Sequence, residues 1–267
     1  MKKELLKTAS ILLLVVSLTA CGQGTAEPTA IPGDVSVPTN VAAAVPTAQA
    51  DPCGNLYFPV KNKATYTYSS SGSPAGAYTF RNIISNASAN GFTLTTKFNA
   101  LPLTQNWECK PEGVLAIGLG LTDAASSLAL EQFTNLTASN ITGISLPANL
   151  APGMEWAYDL DLQGTEKVQE GQPAGNMTGH ISMTFKAGKA ESVTVPAGVF
   201  EAIAVEVKIV SEFKILSASG QAKKISAHNA YTVWYAPGVG WIKSNGSGNL
   251  NGQEYFETIV LESYKVR

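Results

Sequence analysis

The sequence predicts a mainly β protein built on a curved antiparallel sheet, arranged as an open barrel or a sandwich. Apolar and polar residues alternate within residues 65–68, 92–98, 181–185 and 205–209. An alternation of period two is typical of strands that bury one face. The strand-like segments are long and are separated by turn signals rich in Gly, Pro and Asn, which favours strong curvature. These turn signals lie at residues 71–74, 89–91, 196–198 and 244–248.

The first twenty residues have the parts of an export signal. Three lysines stand within the first seven residues, and residues 11–18 form an apolar run. A bilayer-spanning helix needs about 20 apolar residues, so this shorter run favours a signal peptide over residues 1–20. The tetrad that follows, Leu18-Thr19-Ala20-Cys21, resembles the lipobox of bacterial lipoproteins.

The lipobox resemblance implies cleavage before Cys21 and a diacylglyceryl group on its thiol. The alternative is an ordinary secretory peptide with a chance cysteine. Two or three acyl chains anchor a protein stably, whereas a single chain is marginal. We therefore expect an extracytoplasmic lipoprotein that is held to the cell membrane, or to an outer membrane, through lipidated Cys21.

Residues 22–51 predict a disordered tether behind the lipidated cysteine. They are mostly Gly, Ala, Thr, Pro, Val, Gln and Ser, and they include no aromatic residue. Such a segment cannot bury enough apolar surface to fold. A tether of this length would span about 30 Å as a flexible coil and about 90 Å as an extended proline-type chain. The folded part is therefore expected to stand off the membrane.

Composition argues against a nucleic-acid partner. Charged residues make up 14% of the chain, and beyond residue 20 there are 15 basic and 19 acidic residues, a net charge of −4. No basic patch is evident, so neither nucleic acid nor anionic headgroups are expected partners.

Cys53 and Cys109 remain once Cys21 is assigned to lipid. In an oxidising compartment such a pair predicts a disulfide. The alternatives are two buried reduced thiols or a metal site, and a metal site would need more ligands than this pair. His180 and His228 lie far from both cysteines in the sequence.

The folded part shows an internal echo. A Phe-Pro pair at 58–59 precedes Tyr-Thr-Tyr at 66–68, as Leu-Pro at 146–147 precedes Trp-Ala-Tyr at 156–158. The echo predicts two similar halves, although β-protein composition could produce it by coincidence. Helix formers behind a Thr-Asp cap also predict one short helix near 123–133. The predicted organisation is a signal peptide at 1–20, a lipidated tether at 21–51, and β halves at 52–143 and 144–267.

Two motifs in the second half carry a family resemblance. The first is a Pro-Ala-Gly-Val-Phe turn ending at Phe200, and the second is Trp-Tyr-Ala-Pro-Gly-Val-Gly-Trp at 234–241. Together with the Pro147 to Tyr158 segment they resemble the TapB-like family of bacterial envelope proteins. The match covers 144–267, and the first half only through the echo. It implies a β-clam, a curved antiparallel sheet, and supplies no reaction.

The same motifs have a structural interpretation. Gly198 suits a tight turn, and Gly238 and Gly240 suit a strand reversal around a bulge. Trp234, Tyr235 and Trp241 would then plug the open edge of the sheet.

Catalytic and metal-binding patterns are not evident in the sequence. It contains no Gly-x-Ser-x-Gly elbow, no His-Glu-x-x-His and no phosphate loop. We expect His180 and His228 to be exposed or edge residues. Asp159 and Asp161 should project to the same side of one strand, as part of a solvated face rather than a glycosidase pair or a calcium site. No cofactor, metal or catalytic residue is therefore predicted.

Three functions remain open at this point. The first is a non-catalytic module that binds an apolar ligand or an envelope partner in its concave face, with Trp156, Phe200 and Trp234 lining the site. The second is a structural or interaction scaffold with a filled core. The third is a hydrolase that uses the Asp159 and Asp161 pair. A roomy apolar cavity would favour the first, and a filled core the second.

Overall fold

The computed structural model describes most of the chain beyond the predicted tether, and Thr47–Arg267 forms one compact unit. The predicted signal peptide, Cys21 and the tether lie outside the described residues. The predicted helix at 123–133 does so too, except for Phe133, which begins a strand. No helix in the described ranges is long and apolar enough to cross a membrane. These ranges are 53–73, 76–98, 101–118, 133–168, 173–250 and 253–266.

The described residues form 13 strands in a single antiparallel sheet, which confirms the predicted mainly β fold with an open, curved sheet. The strands are β1 (Thr65–Ser71), β2 (Tyr78–Ser88), β3 (Gly91–Phe98), β4 (Leu101–Lys110), β5 (Gly113–Ile117), β6 (Phe133–Gly143), β7 (Leu146–Pro147), β8 (Glu155–Glu166), β9 (Asn176–Val195), β10 (Gly198–Leu216), β11 (Ala222–Ala236), β12 (Gly240–Leu250) and β13 (Gln253–Lys265). Their order across the sheet is β6-β8-β9-β10-β11-β12-β13-β1-β2-β3-β4-β5-β7.

The two strands at the ends of the sheet, β6 and β7, are consecutive in the chain. Only Ile144 and Ser145 separate them. The Ile144 amide donates to the carbonyl of Ala157 in β8 at 3.0 Å, and the Ser145 amide donates to the carbonyl of Val114 in β5 at 3.1 Å. The chain thus leaves one end of the sheet and joins the other within two residues, so the open sheet curls far enough to bring its two ends close together.

β6 and β7 each pair with a strand on the other side of the predicted boundary between the halves. β6 precedes residue 144 but pairs with β8, whereas β7 follows it but pairs with β5. The last strand, β13, pairs with the first, β1. One sheet therefore runs through both segments. The division into halves at 52–143 and 144–267 stays a prediction.

The predicted alternation appears as alternating burial along the strands. Tyr66 and Tyr68 in β1, and Phe92 and Leu94 in β3, are buried, while their neighbours are partly exposed. Full burial of a large apolar side chain contributes about 1.5–3 kcal/mol relative to leaving it in water. The inner face of the curled sheet is therefore the hydrophobic core.

The predicted turns differ in outcome. Chain reversals occur at 89–90 and 196–197, as predicted, and another joins β11 to β12 at 237–239. The turn predicted at 244–248 is wrong, because these residues lie within β12. A Cβ on Gly246 would stand 2.2 Å from the carbonyl oxygen of Ala230. This glycine therefore allows two strands to approach closely and does not mark a reversal.

Candidate ligand-binding cavity

A cavity of about 140 Å³ lies inside the curl of the sheet. Ten of its lining residues are aromatic and most of the others are aliphatic, so rings form much of its wall. The rings come from both sides of the junction between β13 and β1. They are Phe58, Tyr66, Tyr68, Phe80, Trp107, Tyr158, Phe185, Tyr231, Tyr235 and Trp241.

Tyr68 and Trp241 form one part of this wall, although 173 positions separate them in the sequence. Their rings stack with centroids 4.4 Å apart, and the Tyr68 hydroxyl donates to the Trp241 carbonyl at 2.9 Å. Trp241 follows the predicted hairpin, in which Gly238 (φ +73°) and Gly240 (φ +101°) adopt backbone angles that favour glycine. The local turn therefore sets the position of a ring that meets a distant strand.

The segment before β1 closes another part of the cavity. The disulfide between Cys53 and Cys109 is present, with the Cα atoms 5.1 Å apart, and it attaches this segment to β4. The side-chain amide of Asn55 donates to the carbonyl of Pro147 at 3.1 Å. Phe58, which lines the cavity, lies 5.2 Å from the ring of Trp107. The disulfide and the amide thus hold Phe58 in place.

Glu257 in β13 brings a carboxylate to the wall. It is 2% exposed, and its Oε1 accepts hydrogen bonds from Ser70 Oγ at 2.5 Å and from the Tyr78 hydroxyl at 2.6 Å. No Lys, Arg or His occurs among the described residues that line the cavity. Glu257 was not predicted from the sequence. The signal was available, because Glu257 alternates with Ile259 and Leu261 on the buried face of β13.

Tyr68, Tyr158 and Tyr235 of the wall stay neutral at physiological pH. Burial raises the pKa of Tyr235 to about 12, and burial also raises the pKa of Tyr68 and of Tyr158 well above the ordinary value. A phenol with a raised pKa is a hydrogen-bond donor and a poor general base near pH 7. These hydroxyls therefore contribute polarity to the wall without contributing charge.

Two indole groups of the wall have unused donors. The Nε1 atoms of Trp107 and Trp241 are buried and have no hydrogen-bond partner within the described part of the chain. A buried donor left unmet costs about 1–3 kcal/mol. A bound molecule with an acceptor oxygen near either indole would recover part of this free energy.

The predicted lining residues lie elsewhere. Trp156 is on the inner face but behind the wall, where it stacks on Phe185 at 5.0 Å. Phe200 packs edge-on against Tyr264 with centroids 6.1 Å apart. Trp234 lies on the outer face, where its indole donates to Glu191 and the Lys243 ammonium stands 4.9 Å from the ring centre. None of the three predicted residues lines this cavity.

The acid pair lies on the outer face of β8 and meets a histidine. Asp159 and Asp161 are 31% and 40% exposed, and His180 in β9 is 54% exposed. His180 Nδ1 lies 2.8 Å from Asp161, and its Nε2 lies 3.8 Å from Asp159. Hydrogen bonds from Asn140 and then from His180 lower the pKa of Asp161. The register between β8 and β9 brings these side chains together, and the sequence did not predict that register.

The outer cluster is open to water and gives no sign of a reaction centre. The described residues include no group of three or more His, Cys, Asp and Glu side chains placed to hold a metal ion. His228 is exposed as well, with its Nε2 3.4 Å from Ser226 Oγ. The interior cavity is therefore the stronger candidate site.

Comparison with known proteins gives a family but no activity. The sequence model of the DUF3108-like family matches residues 106–255, more than half of the chain. The matching family is not the TapB-like one, so that resemblance remains a prediction. No curated protein matches the chain.

Two solved structures match this chain. One is a candidate exported protein with a YmcC-like fold from Bacteroides fragilis NCTC 9343, at 17% identity and a TM-score of 0.49, covering 79% of this chain and 100% of its own. The other is a candidate lipoprotein from Parabacteroides distasonis ATCC 8503, at 15% identity and a TM-score of 0.49, covering 79% and 99%. Similarities of this size do not transfer a function.

Proposed function

The chain belongs to the DUF3108-like family, whose description assigns no reaction, and from this premise we propose that it is a non-catalytic binding module for a small apolar ligand. The single observation that carries the proposal is the aromatic cavity of about 140 Å³. An engineered apolar cavity of about 150 Å³ in another protein binds benzene. The occupant is therefore one ring, or a ring-sized part of a larger molecule.

The lining chemistry supports binding rather than catalysis. The described lining residues include one carboxylate, from Glu257, and no histidine, lysine or cysteine that could act with it as base or nucleophile. Tyr68 and Tyr235 have raised pKa values and stay protonated near neutral pH. What the wall offers a ligand is apolar contact, ring faces and a few hydrogen bonds.

The proposed location follows from the N-terminal signal. The lipobox ending at Cys21 and the tether at 22–51 support an extracytoplasmic module anchored by lipid. A tether of this kind would let the folded part meet its ligand away from the membrane surface.

The test measures binding of a ring-sized probe to the compact unit Thr47–Arg267. Toluene is added to this unit, and binding is followed by NMR shifts of the lining side chains. Val207→Phe extends a side chain of the wall into the cavity and should weaken binding at least about tenfold, since overfilling a packed space is unfavourable. Val210→Phe, on the exposed face of the same strand, is the matched control and should bind normally.

The outcomes separate the proposal from the predicted scaffold with a filled core. Saturable toluene binding that Val207→Phe removes and Val210→Phe keeps would support a ligand module. A unit that shows no shift with toluene, or binds it equally in both variants, would contradict the proposal and leave the scaffold as the better hypothesis.

A further inference from the structure

We propose that the cavity selects an apolar amine, in which a ring-sized group carries a protonated nitrogen, over a neutral or anionic molecule of the same shape. This inference rests on the proposed function and adds the sign of charge that the ligand carries. The observation behind it is that the wall combines aromatic rings with the buried carboxylate of Glu257.

The position of Glu257 gives the cavity wall a buried acid that can pair with a cation. Glu257 lines the cavity and is 2% exposed. Ser70 and Tyr78 donate to the same oxygen, Oε1, which must therefore act as an acceptor. Hydrogen bonds donated to a carboxylate favour its charged form. Burial acts against the charged form, and a cation bound beside Glu257 would favour it further. No Lys, Arg or His of the described residues lines the cavity.

Burial strengthens the attraction between this acid and a bound cation. Folding has already removed the carboxylate from water, so an arriving cation gains its attraction without a second desolvation of the acid. The ligand loses its own hydration, and the attraction between the two buried charges, which offsets that loss, is stronger than it would be in water.

Aromatic rings act in the same direction. Tyr231 and Trp241 line the cavity together with Glu257. The faces of such rings are negative and attract ammonium groups, most strongly when the cation is desolvated. An anion would meet both the carboxylate and the ring faces, and both would repel it.

The test also covers ligands that bind by accepting a hydrogen bond instead of by carrying a positive charge. The indole N–H groups of Trp107 and Trp241 would favour a ligand oxygen. Benzyl alcohol carries such an oxygen without charge, and benzoate carries two with negative charge. Benzylamine at pH 7 is the cation of nearly the same shape. The three compounds therefore separate charge from hydrogen-bond acceptance.

The experiment measures the Kd of each compound for the unit Thr47–Arg267 by calorimetry. Benzylamine should bind about tenfold more tightly than benzyl alcohol, which corresponds to about 1.4 kcal/mol, and benzoate should bind most weakly. Glu257→Gln keeps the side-chain shape and should remove the preference for the amine. Glu254→Gln removes a charge from an exposed position of the same strand and should leave it unchanged.

The series in the unmodified protein decides the question even if Glu257→Gln does not fold. If benzyl alcohol binds and benzylamine binds no better, or if benzoate binds best, the charge inference is overturned while the proposed function stands. If Glu257→Gln folds and keeps the amine preference, the inference is overturned as well. If toluene and all three compounds fail to bind, the proposed function falls and the inference with it.

Discussion

The hydroxyl of Tyr158 in β8 lies 2.8 Å from the carbonyl oxygen of Ala116 in β5, a strand at the opposite end of the sheet. The carbonyl of Gly118 lies 2.7 Å from the same hydroxyl, so one hydrogen is shared between two acceptors. Together with the amides of Ile144 and Ser145, this contact joins the two ends of the curled sheet. It also fixes a ring that lines the cavity.

Tyr158→Phe tests the joint between the sheet ends. The substitution keeps the ring and removes the hydroxyl, leaving a buried acceptor unmet, so we expect the free energy of unfolding to fall by about 1–3 kcal/mol. Urea unfolding measures the change. Tyr264→Phe, at a ring that is 40% exposed, is the control and should change the free energy by less than about 0.5 kcal/mol. Equal effects of the two substitutions would argue against a role for the hydroxyl.

The disulfide should stabilise the fold and the cavity together. Cys53 and Cys109 are 56 positions apart, and closing a loop of that length contributes about 4 kcal/mol in the chain-entropy model. We expect the Cys53→Ala, Cys109→Ala double variant to unfold at correspondingly lower urea. Because the bond also holds the segment that carries Phe58, toluene binding should weaken. An unchanged unfolding midpoint would contradict this prediction.

Membrane attachment should depend on Cys21. If the lipobox is processed, the wild-type protein is found in the membrane fraction and is extracted by detergent, because its acyl chains hold it there. Cys21→Ser leaves no thiol for the lipid, and the exported protein should appear in the soluble fraction. Cys53→Ser is the comparison, and any folded product should stay with the membrane. A Cys21→Ser protein that remains membrane-bound would refute lipid anchoring at this residue.

Alkaline pH should destabilise the fold through its buried tyrosines. Burial raises the pKa of Tyr235 to about 12, above its ordinary value of 10.0. The unfolded chain therefore releases its proton first, and stability that is complete below pH 10 is lost as pH rises from 10 toward 12. At pH 11 this one tyrosine should lower the free energy of unfolding by about 1.4 kcal/mol.

Urea unfolding at pH 9 and pH 11 measures this loss. Tyr68 and Tyr158, whose pKa values burial also raises, should add to it. Tyr235→Phe cannot ionise and should show a smaller fall than the wild type. The same unfolding free energy at both pH values would show that these phenols do not ionise on unfolding.

The strands could be predicted because their signal lies in neighbouring residues. The disulfide could be predicted because an exported protein reaches an oxidising compartment. Alternation along β1 and β3 predicted that Tyr68 and Leu94 would be buried. The hairpin before Trp241 follows from glycines that suit positive φ. Cys53 and Cys109 were the two cysteines left once Cys21 was assigned. Each of these predictions needed only neighbouring residues or a count.

The lining of the cavity was not open to prediction in the same way. Trp234 and Tyr235 are adjacent, so in a strand only one of them can face inward. The β11–β12 register shifts between them. The extra residue of that bulge, Ile242, lies in β12, and alternation along β11 is unbroken. Tyr231, Val233 and Tyr235 therefore line the cavity, and Trp234 lies on the outer face. Residue type identified aromatic residues of interest but not their side of the sheet.

The sequence by itself determined that the chain is β-rich, which faces of several strands are apolar, and where one hairpin reverses. Only the tertiary structure decided that β13 lies beside β1, that Tyr68 meets Trp241, and that Glu257 faces a ring-lined cavity. The physical reason is that alternation determines which face of a strand is buried but not the choice of the strands that pair with it. That choice depends on closing the curl of the whole sheet, through contacts between residues as far apart as 173 positions.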